Sequence, residues 1–228
     1  MKLSKPIILS LALAACIGAA NAQNKVELSS EKAKLGYTVG AQIASDLMRG
    51  GLKEEIDIDA FLAAQSDILS GAEPQMSPED MQAAQQAFQL KQQQAYAAVL
   101  AENKAKGVAY LEENKSKKGV KTTDSGLQYE VLVEGKGDQP TAESTVNVHY
   151  KGTLIDGTTF DSSYDRNQPA DFPVAGVIPG FSEGLQLMKA GAKYKFTIPS
   201  EIAYGEQGPA SIGPNQVLIF EVELIDVK

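Results

Sequence analysis

The sequence is poor in the side chains that metal-dependent and nucleophilic chemistry requires. Its 228 residues include one histidine, one cysteine and no tryptophan. One cysteine (Cys16) and one histidine (His149) are too few for a Cys/His zinc site. The single histidine is also the one imidazole that could act as general base for a serine or cysteine nucleophile. The composition therefore argues against a Cys/His zinc site and against a histidine-assisted nucleophile.

Positive charge is also scarce. The chain has 21 Lys and Arg residues against 29 Asp and Glu residues, a formal net charge of −8 at pH 7. A protein that binds nucleic acid must neutralise phosphates, so this balance excludes DNA and RNA as expected partners. The fractions of hydrophobic residues (43%) and charged residues (22%) are ordinary for a globular protein. The length fits one large or two small domains.

The one long apolar run lies at the N-terminus. The apolar residues 7–20 follow two lysines. The run leads directly to Ala20-Asn21-Ala22, the small-x-small pattern that precedes signal-peptidase cleavage. We predict that residues 1–22 are a signal peptide and that the mature protein acts in the periplasm. The alternative is cleavage before Cys16, because Leu13-Ala14-Ala15-Cys16 resembles a bacterial lipobox. The protein would then be an outer-membrane lipoprotein anchored through that cysteine.

Residues 23–76 have the composition of helices, being rich in Ala, Gln, Glu and Lys. The first predicted helix has Ser29 or Ser30 as its N-cap and ends at Gly50-Gly51, and a second follows Asp57. Two short helices with few large apolar residues cannot easily bury their own faces. We therefore predict a homodimer through the N-terminal helices. A single intramolecular helical bundle is the alternative.

A long connecting helix is predicted over residues 77–118. Ser77 is its N-cap and Pro78 its first residue, and the helical composition then continues for roughly 40 residues, or about 60 Å. The middle of the segment, residues 89–94, is polar nearly all round, which favours an arm that crosses solvent. The alternative is a segment that is partly disordered or divided into two helices, with Gly107 as the expected break.

The pattern becomes that of β-strands in residues 119–228. Apolar and polar residues alternate from Leu127 onward, and Asp156-Gly157 is typical of a hairpin turn. Further strand-like runs follow at 145–155, 193–199 and 217–227. One short helix is predicted at 181–189. Together these elements predict an α+β domain in which a curved antiparallel sheet wraps around one helix.

A series of short motifs in this second half resembles a known enzyme family. In chain order they are Val148-His149-Tyr150-Lys151-Gly152, Asp156-Gly157, Phe160-Asp161-Ser162-Ser163, Arg166-Asn167, Val177-Ile178-Pro179-Gly180, Glu183-Gly184, Ala203-Tyr204-Gly205 and Phe220-Glu221-Val222-Glu223-Leu224. This series resembles the FKBP-type peptidyl-prolyl cis-trans isomerases. The signal peptide and helices ahead of it are similar to the periplasmic FkpA and macrophage-infectivity-potentiator group of that family, in which two chains intertwine through these helices.

The resemblance implies rotation of X-Pro bonds in exported unfolded proteins, with chaperone activity and with FK506-type macrolides as inhibitors. It implies as catalytic residues Tyr150, Phe160, Asp161, Tyr204 and Phe220. It implies as substrate-binding residues Arg166, Phe172, Val177, Ile178, Phe181 and Ile212. In the family pattern the residue at Phe181 forms the pocket floor, and Tyr204 and the Ile178 N–H bind substrate carbonyls. The resemblance also implies that Asp161 is hydrogen-bonded to Tyr150 and paired with Arg166, and that neither a cofactor nor a metal is used.

Three positions depart from the best-known eukaryotic members. Phe181 stands where they carry Trp, Ala170 stands where they carry an aromatic residue, and the loop 208–212 is shorter and lacks their histidine. These departures leave the residue preference before proline open. The single histidine, His149, is predicted to point away from the face that carries Tyr150. The alternative function is a non-catalytic chaperone or surface interaction protein that uses the same pocket for binding.

Overall fold

The structure is a computed structural model, and it describes residues 26–228. The predicted signal peptide and Cys16 lie outside the described residues. The α-helices are Glu31–Arg49 (α1), Ile58–Ser70 (α2), Pro78–Lys115 (α3) and Pro179–Gln186 (α4). The strands are Val120–Thr122 (β1), Gln128–Val133 (β2), Thr145–Thr153 (β3), Thr159–Ser162 (β4), Ala170–Pro173 (β5), Lys193–Ile198 (β6) and Leu218–Val227 (β7). The chain divides into two compact units, one ending at Ser77 and the other running from Pro78 to Lys228.

The first unit consists of α1 and α2 with their connecting turn. Ser30 caps α1, since its Oγ accepts a hydrogen bond from the Ala33 N–H at 3.1 Å. Asp57 caps α2 in the same way, accepting from the Ala60 N–H at 2.9 Å. Both predicted helix starts are confirmed. Neither helix contains a length of apolar sequence able to cross a membrane, and the same holds for every helix within residues 26–228.

The second unit is built on a seven-stranded sheet. Its strand order is β1-β2-β6-β7-β3-β4, with β5 also paired to β3, and every pairing is antiparallel. The predicted hairpin joins β3 to β4, where Gly157 takes a φ of +88° that favours glycine. The predicted α+β class is confirmed, with one short helix packed against an antiparallel sheet.

Helix α4 lies close against β6 because two of its residues have no side chain. A Cβ at Gly184 would lie 2.7 Å from Cζ of Phe196, and one at Gly180 would lie 2.4 Å from Cγ2 of Ile198. The close approach buries the aromatic ring of Phe181 in the core. The helix runs over 179–186 rather than 181–189, since proline is well suited to the first helical position.

Helix α3 is continuous over 38 residues, so the predicted alternative of a break at Gly107 is wrong. Gly107 is buried, and a Cβ there would lie 3.0 Å from Cγ2 of Val217, next to β7. Near its end the buried Asn114 donates a hydrogen bond to Gln128 Oε1 at 2.8 Å. The C-terminal half of α3 thus packs on the sheet, and the prediction of an arm crossing solvent is wrong for this half.

The covering helix also changes the burial pattern of β2. The alternation places Gln128 on the polar side of the strand, but only 4% of this residue is exposed. Its Nε2 donates to the Leu111 carbonyl at 2.9 Å, so the amide is satisfied by α3 rather than by water.

Candidate functional site

Side chains from four strands, from α4 and from two loops converge on one cavity of about 640 Å³. The lining residues are Tyr150, Phe160, Asp161, Phe172, Gly176, Val177, Ile178, Phe181, Tyr204, Pro209, Ser211, Ile212 and Phe220. Most of these are apolar, and their polar groups are few. The cavity can therefore enclose an apolar group while offering hydrogen bonds at a small number of points.

Phe181, in the first turn of α4, is the most central of the rings. Its centroid lies 4.8 Å from that of Phe220, 6.3 Å from that of Phe172 and 6.5 Å from that of Tyr150. Only 4% of Phe181 is exposed, which suits the base of the cavity. Tilted and edge-to-face contacts of this kind hold each ring in one orientation.

A second part of the cavity wall depends on a glycine in β3. Phe160 and Phe220 meet edge to face with centroids 5.4 Å apart. A Cβ at Gly152 would lie 2.5 Å from Cζ of Phe160 and 2.9 Å from Cε1 of Phe220. Any larger residue at this position would displace both rings.

A polar network lies at one edge of the cavity. The Tyr150 hydroxyl donates to Asp161 Oδ2 at 2.5 Å and accepts from Arg166 Nη2 at 2.8 Å. Arg166 also pairs directly with the Asp161 carboxylate. The three side chains form a closed ring of hydrogen bonds that fixes the tyrosine side chain.

The network sets the protonation of its members. Burial and the hydrogen bond to Asp161 raise the pKa of Tyr150 above 10.0, although the bond from Arg166 opposes this. Burial alone would raise the pKa of Asp161, but the hydrogen bonds from Tyr150 and Arg166 outweigh it and lower that pKa below 3.8. The hydrogen bonds to Asp161 and Tyr150 raise the pKa of Arg166. At neutral pH the network contains a carboxylate, a guanidinium and a neutral phenol.

Two hydrogen-bond donors at the cavity have no acceptor within residues 26–228. One is the Ile178 backbone N–H, whose residue precedes α4, and the other is the Tyr204 hydroxyl. Tyr204 is 45% exposed. Both donors are available to carbonyl groups of a bound molecule.

All the predicted site residues except Arg166 line the cavity. Arg166 instead contacts Tyr150 and Asp161 from outside the lining. Sequence reasoning missed Gly176, Pro209 and Ser211 as lining residues. Gly176 ends a short 3-10 helix, and Pro209 and Ser211 lie in a loop, so no periodic pattern identifies the side that faces a cavity.

The strand that carries Phe172 was also absent from the sequence prediction. β5 is four residues long, ends in a proline and pairs with β3 at Val146 and its neighbours. So short a strand gives little alternation to detect. By contrast, His149 lies away from the cavity as predicted, with Nδ1 3.0 Å from Ser163 Oγ and its ring stacked 4.7 Å from Tyr164.

A short helix inside an antiparallel sheet, with an aromatic cavity at their junction, is the architecture of a prolyl isomerase of the FKBP type, and the chain belongs to that family. Residues 136–225 match the family described as FKBP-type peptidyl-prolyl cis-trans isomerase. Residues 32–131 match the domain amino terminal to FKBP-type peptidyl-prolyl isomerase. The protein is therefore a peptidyl-prolyl cis-trans isomerase.

Its relatives place it in the FkpA and Mip group. It is 44% identical over 215 residues to FKBP-type peptidyl-prolyl cis-trans isomerase FkpA of Aeromonas hydrophila, covering 90% of this chain and 79% of that protein. It is 40% identical over 235 residues to Outer membrane protein MIP of Legionella longbeachae, covering 100% and 98%. The crystal structure of FkpA from Escherichia coli aligns with a TM-score of 0.68 at 40% identity, covering 88% of this chain and 98% of that one.

Proposed function

We propose that the enzyme binds the X-Pro segment of an unfolded or partly folded polypeptide in the aromatic cavity and lets the bond rotate there without a covalent intermediate. The observation that carries this proposal is the convergence of aromatic rings from separate elements on one cavity. Prolyl rings are apolar and compact, so a cavity with aromatic walls suits them.

The physics of the bond explains why such a cavity suffices. Rotation of a peptide bond breaks amide conjugation, against a barrier of about 18–20 kcal/mol. In the twisted state the carbonyl loses its polar resonance form, so an apolar site favours that state over the planar amide. No bond to carbon has to break and no proton has to move.

We assign the side chains three roles on this basis. Six apolar side chains enclose the prolyl ring: Phe160, Phe172, Val177, Phe181, Ile212 and Phe220. The Ile178 N–H and the Tyr204 hydroxyl bind substrate carbonyls on either side of the rotating bond. Asp161 and Arg166 orient Tyr150 and contribute a fixed electrostatic field at the cavity edge.

Cis-trans exchange in a proline-containing peptide tests these assignments. Asp161→Ala should reduce the acceleration of cis-trans exchange. Asp124→Ala removes an exposed acid outside the cavity lining and should leave the acceleration unchanged. An FK506-type macrolide should compete with the peptide for the cavity. If peptide binds to the cavity but its exchange is not accelerated, the non-catalytic alternative is correct.

We further propose that α1 and α2 pair with the same helices of a second copy. Within these two helices, both fully described, no residue is buried. Leu35 is 65% exposed, Ile68 68% and Leu69 87%, so the unit by itself leaves its apolar side chains in water. A second copy supplies a matching apolar surface, as two-fold dimers do.

We also propose that the protein is exported to the periplasm, or anchored at the outer membrane through Cys16, and that it holds unfolded chains. The support is the pattern of residues 1–22 together with relatives named FkpA and Outer membrane protein MIP. The mass of the mature protein distinguishes a start at Gln23 from an acylated Cys16. Suppression of aggregation of an unfolded protein, measured with the macrolide bound, tests whether holding is independent of the cavity.

A further inference from the structure

One wall of the cavity is formed by the loop that leads into β7. Residues 203–217 supply Tyr204, Pro209, Ser211 and Ile212 to the cavity. Of these only Ile212 is buried, at 8% exposure. Asn215 (8%) and Val217 (3%) are also buried, but both lie at the β7 end of the segment. The part that carries Tyr204, Pro209 and Ser211 is therefore held in place largely by hydrogen bonds.

The loop is closed on itself at its base. The Asn215 N–H donates to the Gly205 carbonyl at 2.8 Å, and the N–H groups of Ile212 and Gly213 both donate to the Pro209 carbonyl at 2.8 Å. These bonds fix the internal shape of the loop. They do not fix its position relative to the rest of the cavity.

Helix α3 supplies the external attachment. Tyr96 Oη donates to the Glu206 carbonyl at 2.7 Å, and Asn103 Nδ2 donates to the Pro214 carbonyl at 2.8 Å. Asn215 Nδ2 donates in the other direction, to the Leu100 carbonyl at 3.3 Å. The loop is therefore tied to the helix near both of its ends.

These contacts lie on one stripe of α3. Tyr96, Leu100, Asn103 and Gly107 follow each other at spacings of four, three and four residues, which places them on a single helix face. Gly107 continues the stripe with the close approach to Val217, the residue that joins the loop to β7. The stripe contacts the loop along its length and leaves the opposite face of the helix exposed.

We infer that Tyr96 and Asn103 are positioning residues for the isomerase reaction, because they hold the loop that carries Tyr204 and Ile212 at the distance from Phe181 that the substrate requires. The C-terminal half of α3 thus contributes to the shape of the isomerase cavity in addition to connecting elements of the chain. The inference rests on the proposed use of the cavity, and it adds that α3 holds one of the cavity walls in position. Displacement of a binding group by about 1 Å can lower a rate by about 100-fold.

The test uses the full chain with Tyr96→Phe and Asn103→Leu, singly and together. Each removes a donor and leaves the loop carbonyl in place. We expect kcat/KM for a proline-containing peptide to fall about threefold or more in the double variant. Amide hydrogen exchange should become faster within residues 205–217, while the strands of the sheet exchange as in the unmodified protein.

Tyr110→Phe is the matched control, because it makes the same chemical change on the same helix 14 residues further on, about 21 Å along the axis. It should change neither quantity. Unchanged kcat/KM in the double variant would overturn the inference, and so would faster exchange spread over the whole sheet, which would show general destabilisation. If Asn103→Leu perturbs folding, Tyr96→Phe decides alone, since that side chain is half exposed. Lack of acceleration by the unmodified protein would instead refute the proposed use of the cavity.

Discussion

The hydroxyl of Tyr150 donates to Asp161 across 2.5 Å while accepting from Arg166 at 2.8 Å. One oxygen atom thus joins an anion and a cation at the edge of an otherwise apolar cavity. The tyrosine ring itself contacts Phe172 and Phe220, with centroid distances of 5.5 Å and 6.3 Å. The position of the Asp161–Arg166 pair therefore helps to fix the position of the Tyr150 ring within the aromatic wall.

Tyr150→Phe should preserve the wall and remove this link. A hydrogen bond to a charged group is worth about 1.5–3 kcal/mol, so its loss corresponds to a decrease in kcat/KM of about 10- to 150-fold if the bond orients the site. A peptide exchange assay gives the number. Tyr129→Phe is a suitable control, since Tyr129 stacks on Tyr194 and lies outside the cavity lining. An equal loss in both variants would contradict the proposed role of the network.

The pH dependence follows from the two shifted pKa values. Because folding lowers the pKa of Asp161, the stability that its carboxylate contributes is present above 3.8 and is lost as the pH falls through the lower folded value. Because folding raises the pKa of Tyr150, the contribution of its neutral hydroxyl is present below 10.0 and is lost as the pH rises through the higher folded value.

We therefore expect kcat/KM to be constant between about pH 5 and about pH 9. The free energy of unfolding should differ between the unmodified protein and Asp161→Asn by a constant amount over this range. The difference should shrink only below pH 3.8, the ordinary carboxyl value. An inflection in kcat/KM near neutral pH would show that another titrating group controls the reaction.

Gly152→Ala should disturb the cavity without changing its chemistry. The added methyl group would lie 2.5 Å from Cζ of Phe160 and 2.9 Å from Cε1 of Phe220, so it must displace both rings. Overpacking of this kind costs about 1–3 kcal/mol, and the displaced rings should also lower kcat/KM. Thermal unfolding and the exchange assay measure the two effects.

Lys151→Ala alters the adjacent, exposed residue of the same strand and should have little effect on either measurement. If Gly152→Ala behaves like this control, the rings are more mobile than their packing indicates and the wall is not a fixed surface.

Leu35→Glu should weaken the proposed dimer. The substitution places a charge on an apolar surface that a second copy would cover, and an unpaired buried charge is costly. Sedimentation equilibrium should show the variant dissociating at concentrations where the unmodified chain is dimeric. Lys34→Glu changes the charge of the neighbouring residue and should not promote dissociation. A monomeric unmodified chain would refute the dimer outright.

The sequence predicted those parts of the fold that local patterns determine. Caps such as Ser30 and Asp57 mark helix starts because side-chain oxygens satisfy free N–H groups. The Asp156-Gly157 turn and the long strands were readable for similar local reasons. The aromatic lining residues were found through an ordered series of motifs, since no periodicity distinguishes a cavity wall from ordinary core.

What the sequence did not reveal depends on contacts between distant elements. Gly107 looked like a helix break, and its reason became visible only with Val217 opposite it. Gln128 looked exposed until α3 was found to cover it. Asn103 and Asn215 lie more than a hundred residues apart, so the attachment of the loop to the helix leaves no local pattern in either segment.

The way in which α3 holds the loop has an evolutionary consequence. Both helix donors, Tyr96 and Asn103, bond to main-chain oxygens of the loop, and every amino acid carries such an oxygen. Side chains at the tip can therefore diverge without loosening the anchorage. Enzymes built on this plan can acquire new sequence selectivity by changing a handful of residues, while the scaffold that presents them remains constant.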